Sequence, residues 1–169
     1  MGISNPFSSN KRHVDAQAVE ELIKALTHRD ITIREKAAQY LGNIQDRRAV
    51  DSLVEALRHQ NFNVRMVSII ALGNMKDRRA IIPLIQALAD ESAYCREGAA
   101  ISLGRMRDKR AIPSLIHALV DADSYVREKA AWALEYMAGL AIYPLIDALD
   151  HEDARIRARA AALRGNMED

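Results

Sequence analysis

Asp123-Ser-Tyr-Val-Arg-Glu-Lys-Ala-Ala-Trp-Ala-Leu134 decides the fold, because the chain writes this pattern five times. Val126-Arg127 is matched by Ile33-Arg34, Val64-Arg65, Cys95-Arg96 and Ile156-Arg157. The first four arginines fall 31 residues apart, and Arg157 follows Arg127 after 30. Self-similarity at that period marks a solenoid, in which each unit buries its apolar face only against its neighbours.

Working outward from the arginine, each unit reads as two helices. An A helix carries apolar residues at i, i+1 and i+4: Leu22-Ile23-x-x-Leu26, Leu53-Val54-x-x-Leu57, Leu84-Ile85-x-x-Leu88, Leu115-Ile116-x-x-Leu119 and Leu145-Ile146-x-x-Leu149. The first A helix is expected over Val14–Thr27. Asp30, Asn61, Ser92, Asp123 and Asp153 then stand where a helix wants an N-cap. The B helix that follows holds the arginine, two mostly small residues, then Leu41, Leu72, Leu103 or Leu134. Gly42, Gly73 and Gly104 come next, at a spacing that suits close helix packing.

Return turns read Asp46-Arg47-Arg48-Ala49, Asp77-Arg78-Arg79-Ala80 and Asp108-Lys109-Arg110-Ala111. Pro83, Pro113 and Pro144 lie beyond, a placement expected for the first turn of a helix. Ala138-Gly139-Leu140 replaces the fourth charged turn with one residue fewer, which predicts a local change of stacking. The domain expectation is a flexible leader over residues 1–13, then repeats over about 14–45, 46–76, 77–107, 108–137 and 138–169.

Apolar content of 49% and charged content of 28% fit a folded chain. A net charge of +1 gives no global pull toward nucleic acid or anionic membrane. No apolar run approaches the roughly 20 residues that span a bilayer, and Met1–His13 lacks a signal-peptide core. Pro6 stands where a myristoylation motif wants Ser or Thr. One cysteine, Cys95, excludes an internal disulfide and suits a reducing compartment, so a cytoplasmic protein is expected.

Leu-Ile-x-Ala-Leu, an acidic turn, Val-Arg-x-x-Ala-Ala-x-x-Leu-Gly and Asp-Arg-Arg-Ala together resemble the short HEAT-like repeat named after phycobilin lyases. The resemblance covers residues 14 to about 167. It implies an all-α fold, a right-handed α-solenoid (alpha-alpha superhelix) of five HEAT-like helix pairs, with A helices convex and B helices concave. It also implies that Arg34, Arg65, Arg96, Arg127 and Arg157 form a structural ladder with nearby acidic side chains. Repeats of this kind build lyases, a hydroxylase and plain binding scaffolds, so activity must come from the site.

A catalytic site is not expected. Deoxyhypusine hydroxylase, a relative with similar repeats, implies paired His-Glu in successive B helices. The positions after the arginine here are instead Glu35-Lys36, Met66-Val67, Glu97-Gly98, Glu128-Lys129 and Ala158-Arg159. His151-Glu152 occurs once and falls in a turn, too little for a metal that needs convergent ligands. His28, His59 and His151 share one repeat position at the end of an A helix, where the helix dipole favours a histidine. Neither a phosphate loop nor a paired nucleophile is present, so no catalytic, metal or cofactor residues are assigned.

Subtracting the repeat leaves the informative residues. At about 100° per residue, the flank of a B helix opposite its small side chains holds positions −2, +1, +5 and +9 from the arginine. In the first repeat these are Thr32, Glu35, Gln39 and Asn43, all polar. Later repeats place Met66, Ile70, Tyr94, Ile101, Arg105, Tyr125, Glu128, Trp132 and Tyr136 there. Large apolar groups on an open face mark an interaction site, and Trp, Tyr and Arg are its usual anchors. These nine are the expected protein-binding residues.

The leading expectation is therefore a non-catalytic scaffold holding a protein or peptide in its concave groove. Two competing uses of the face are self-association and a cover for the shortened fourth turn, with Trp132 and Tyr136 over it. A phycobilin-lyase-like factor handling a chromophore or its protein is the alternative. Nucleic-acid backbone binding is the third, along a basic edge of Arg47, Arg48, Lys76, Arg78, Arg79, Arg105, Arg107, Lys109 and Arg110. Asp46, Asp77 and Asp108 interrupt that edge and weigh against it.

Overall fold

A computed structural model describes residues 16–168, with side chains through Gly165. The leader expected over residues 1–13, and the expected start of the first helix at Val14, lie outside the described residues. Among those described, ten α-helices follow as five pairs. They are α1 (Ala16–Ala25) with α2 (Ile31–Ile44), α3 (Val50–Ala56) with α4 (Phe62–Met75), and α5 (Ile81–Ala87) with α6 (Ala93–Met106). Then come α7 (Ile112–Ala118) with α8 (Ser124–Tyr136), and α9 (Ala138–Asp147) with α10 (Ala154–Glu168). No described helix is long and apolar enough to cross a membrane.

Local chemistry sets the helix starts. Oxygens of Asp30, Asn61, Asp123 and Asp153 each accept the amide two residues on, at 2.8 Å. Ser92 departs from the expectation: its hydroxyl makes no cap bond, and its own amide is held by Asp90 instead. Asp46, Asp77 and Asp108 cap the three return turns through the amides of Arg48, Arg79 and Arg110. The first A helix ends at Ala25, short of Thr27, and passes into a turn.

The even-numbered helices form one continuous layer, α2 on α4, α4 on α6, α6 on α8. A Cβ added to Gly42 would lie 2.6 Å from the Ala71 Cα, and one on Gly104 would lie 2.9 Å from the Ala133 Cα. At Gly73 the same atom would lie 2.3 Å from the Ser102 Oγ. Glycine is required at these sites because two backbones nearly touch. The odd-numbered helices pack on their own partners and on the return turns more than on one another. Closer spacing on one side than on the other bends the stack, so the even helices line its hollow.

Between the layers, Leu41, Leu72, Leu103 and Leu134 meet Leu53, Leu84, Leu115 and Leu145, all fully buried. Each such leucine contributes about 1.5–3 kcal/mol relative to an exposed one. Cys95 is one more small buried side chain of this core.

The expected change of stacking occurs at the fourth turn. Helices α2, α4 and α6 end in left-handed residues, Gln45, Lys76 and Arg107, whereas α8 passes through right-handed Met137 straight into α9. The turn has become helix, so Pro144 lies well inside α9 rather than in its first turn. Glu135 stands in register with the glycines, and α10 touches α8 far less than the earlier even helices touch one another.

Gly42→Leu is expected to lower stability by about 2 kcal/mol or more, because the side chain has no room against Ala71. Gly139 faces open space, so Gly139→Ala is expected to leave the urea midpoint unchanged or slightly higher. Equilibrium urea unfolding of both variants checks the pair.

Candidate binding face and arginine ladder

The stacking seam uses the small side of each even helix and turns the other side into the hollow. Tyr94 is 65% exposed, Tyr125 64%, Tyr136 48% and Trp132 36%. Ile70, Arg105 and Glu128 are exposed beside them, and Met66 and Ile101 are half-buried. The nine predicted residues therefore share one side of three consecutive helices.

Their rings are ordered by contact. Trp132 stacks on Tyr136 with centroids 5.2 Å apart and planes 20° apart. The Arg107 guanidinium lies 5.6 Å from the Tyr136 ring centre, an attractive cation–π geometry. Trp132 leans onto α6: its Cζ3 lies 3.1 Å from the point where a Gly104 Cβ would be. Met137 in the fourth turn is fully buried.

Sequence reasoning missed two members. Phe62 stacks with Tyr94 at 6.2 Å, yet it sits three residues before its arginine, at a position counted as helix start. Arg107 was read as turn charge. An aromatic ring at a register held elsewhere by Ile31, Ala93, Ser124 and Ala154 was the available signal for Phe62. Toward the N-terminal end, α2 and α4 border a cavity of about 380 Å³ lined by Glu35, Gln39, Asn43, Ile70 and Asn74, among others.

The arginine ladder holds the face in register. Arg65 donates from Nη1 to the His59 and Gln60 carbonyls at 2.8 and 2.9 Å, closing its own turn. Its Nε and Nη2 then grip both oxygens of Asp90, in the next repeat, at 2.7 and 2.9 Å. Arg96 repeats the arrangement, with Asp90 and Glu91 carbonyls on one side and Asp121 on the other at 2.8 and 2.9 Å. Arg34, Arg127 and Arg157 make the carbonyl half of the rung. Burial, the largest single influence, would raise the Asp90 and Asp121 carboxyls, but the guanidinium on each and the Ser92 or Asp123 amide together outweigh it and hold them below the usual range.

The histidines do something other than complement a dipole. Nδ1 of His28, His59 and His151 each accepts the amide two residues on, at 3.0 Å. That is the bond Asp90 and Asp121 make at the same repeat position. The expected basic edge is also largely paired. Arg48, Arg79 and Arg110 bind Asp46, Asp77 and Asp108, while Arg47 and Arg78 reach Asp77 and Asp108 of the following turn. Asp108 is held down to about 2 chiefly by its hydrogen bond to Arg110.

Helix pairs stacked through a glycine seam and pinned by arginine rungs define an α-solenoid. The chain belongs to the family of HEAT repeats, whose pattern matches residues 19–102 and again 82–164. It is similar to a chain of the complex of CpcE and CpcF of phycocyanin lyase from a Nostoc species. The identity there is 26% over 99% of this chain and 70% of that one, with a TM-score of 0.68. A designed armadillo repeat protein in complex with the peptide (KR)4 shares the fold at 17% identity, TM-score 0.57, over 89% and 82% of the two chains. Cex1p does so at 12% identity, TM-score 0.66, over 89% of this chain and 35% of that one. No curated protein matches the chain in sequence.

Asp90→Asn keeps an oxygen for the Ser92 amide but leaves the nearly buried Arg65 with only the exposed Glu91 carboxylate, and is expected to cost about 2 kcal/mol at pH 7. Because the folded-state carboxyl is depressed, its contribution is present above the unfolded value near 4 and lost as pH falls through the folded one. Urea unfolding at pH 7 and pH 3 should therefore show a gap between variant and wild type that narrows in acid.

Proposed function

We propose that this chain is a non-catalytic scaffold that holds a protein or peptide along the concave face of its even-numbered helices. The observation that carries the reading is the exposed run of Tyr94, Tyr125, Trp132 and Tyr136 on a side otherwise free of stacking duties. Stacked aromatics and a nearby arginine offer large contact area at low entropic cost, the composition of binding hot spots. Glu128, Arg105, Met66, Ile70 and Ile101 supply the surrounding polar and apolar contacts. A buried lone cysteine suits a reducing, cytoplasmic setting.

The likeness to a chain of the CpcE–CpcF complex supports a second reading, because it spans nearly this whole chain. On that reading the same hollow handles a bilin or a bilin-carrying protein. A shift of bilin absorbance on mixing separates the two. Backbone binding to nucleic acid has weaker support, since aspartates already hold most of the return-turn arginines.

Trp132→Ala and Tyr125→Ala are each expected to weaken capture of the partner by more than about 1 kcal/mol while leaving the helical melt almost unchanged. Affinity capture with wild type and both variants, alongside thermal circular dichroism, measures this. Loss of folding in either variant would instead assign those rings to the core. Self-association through the face would appear as a concentration-dependent mass that Trp132→Ala abolishes.

A further inference from the structure

Two rungs of the ladder are closed by aspartate; the first and the fourth, which face His59 and His151, are not. Arg34 makes the carbonyl half of its rung, donating from Nη1 to His28 and, at 3.2 Å, to Arg29. Its Nε is buried and has no hydrogen-bond partner. The residue in register with Asp90 and Asp121 is His59, whose Nδ1 is taken by the Asn61 amide at 3.0 Å. An imidazole that accepts through Nδ1 carries its proton on Nε2. Arg34 and His59 thus both offer donors where the second and third rungs pair a donor with an acceptor, and neither can satisfy the other. Arg127 and His151 repeat the pairing, but among the described residues Arg34 is the rung arginine whose buried Nε has no partner.

The space between repeats records the difference. In the second and third repeats, a cavity of about 150 Å³ is lined by Val54, Leu57, Pro83, Ala87 and Asp90, among others. The positions 31 residues earlier, Ile23, Leu26, Ser52, Ala56 and His59, line a cavity of about 650 Å³ that also reaches Arg34. That volume is within the range of small-ligand pockets. Ser52 stands where the second rung has the ring of Pro83. Arg58 adds positive charge to the lining, and Glu55, its one acidic residue, lies exposed.

We propose that Arg34 and His59 form a binding site for a small organic carboxylate with a short apolar body. The carboxylate takes the place that Asp90 and Asp121 hold in the next two rungs, accepting from the Nε–Nη2 edge of Arg34 and from His59. The apolar body lies against Ile23, Leu26 and Ala56. An arginine whose Nη1 is already fixed by two carbonyls is oriented before the ligand arrives, which favours a bidentate carboxylate over a point anion. This site is on the turn side of the stack and is independent of the aromatic face.

Sodium hexanoate is the probe, with hexanol and inorganic phosphate as controls, titrated into the full chain by calorimetry and by the Arg34 Nε–H resonance. Saturable hexanoate binding that moves this resonance, with neither control matching it, is the expected result. His59→Asp supplies the missing carboxylate from within, so the thermal midpoint should rise and hexanoate affinity fall by about tenfold or more. Arg34→Lys keeps the charge but not the fork, and should also weaken binding with the helical signal retained. Three results overturn the proposal: no saturable binding to wild type, phosphate binding as tightly as hexanoate, or undiminished hexanoate affinity in both variants.

Discussion

Near-contact of backbones at Gly42, Gly73 and Gly104 is the constraint on which the rest of the structure depends. It draws the even helices together more tightly than the odd ones and so gives the stack its hollow. It also consumes one whole side of each even helix. The side left over is free to vary, and in this chain it gathers aromatic residues toward α6 and α8. Where the glycine is absent, at Glu135, the close stacking ends.

Glycines set how near the helices come, and the arginines set how far along each other they sit. A guanidinium that binds its own turn with one nitrogen and the next repeat's aspartate with the other two leaves little freedom to slide. Desolvating such a pair is costly, so its role is better described as fixing geometry than as adding stability. Substitution of His59 for aspartate relaxes this fastening at the first interface, and the cavity there is correspondingly larger.

Much of this was legible in the sequence, because a solenoid repeats its instructions. Five units of a small or branched apolar residue followed by arginine, recurring N-cap residues and in-helix glycines specify helix pairs, their order and their small-residue seam before any coordinates. The exposed flank followed from counting around the helix, and Tyr94, Tyr125, Trp132 and Tyr136 lie where counting put them. Side-chain reach was not legible. Phe62 joins the face by leaning onto a ring of the next repeat, and Arg107 by folding over Tyr136, neither of which periodicity encodes. Pro144 was misplaced because a deleted turn residue turned the loop itself into helix. His59 looked like a helix-end histidine until its Nδ1 was seen occupied and the Arg34 Nε left bare.

With one tryptophan in the chain, the central claim has a direct optical test. If the seam turns the outer flank of α8 into the hollow, Trp132 in the folded protein emits at a water-exposed wavelength and is quenched readily by acrylamide. Bound partner should protect it. A blue-shifted emission that acrylamide barely reaches in the free, folded chain would mean the indole is sealed inside the stack, and the proposed docking face would not exist.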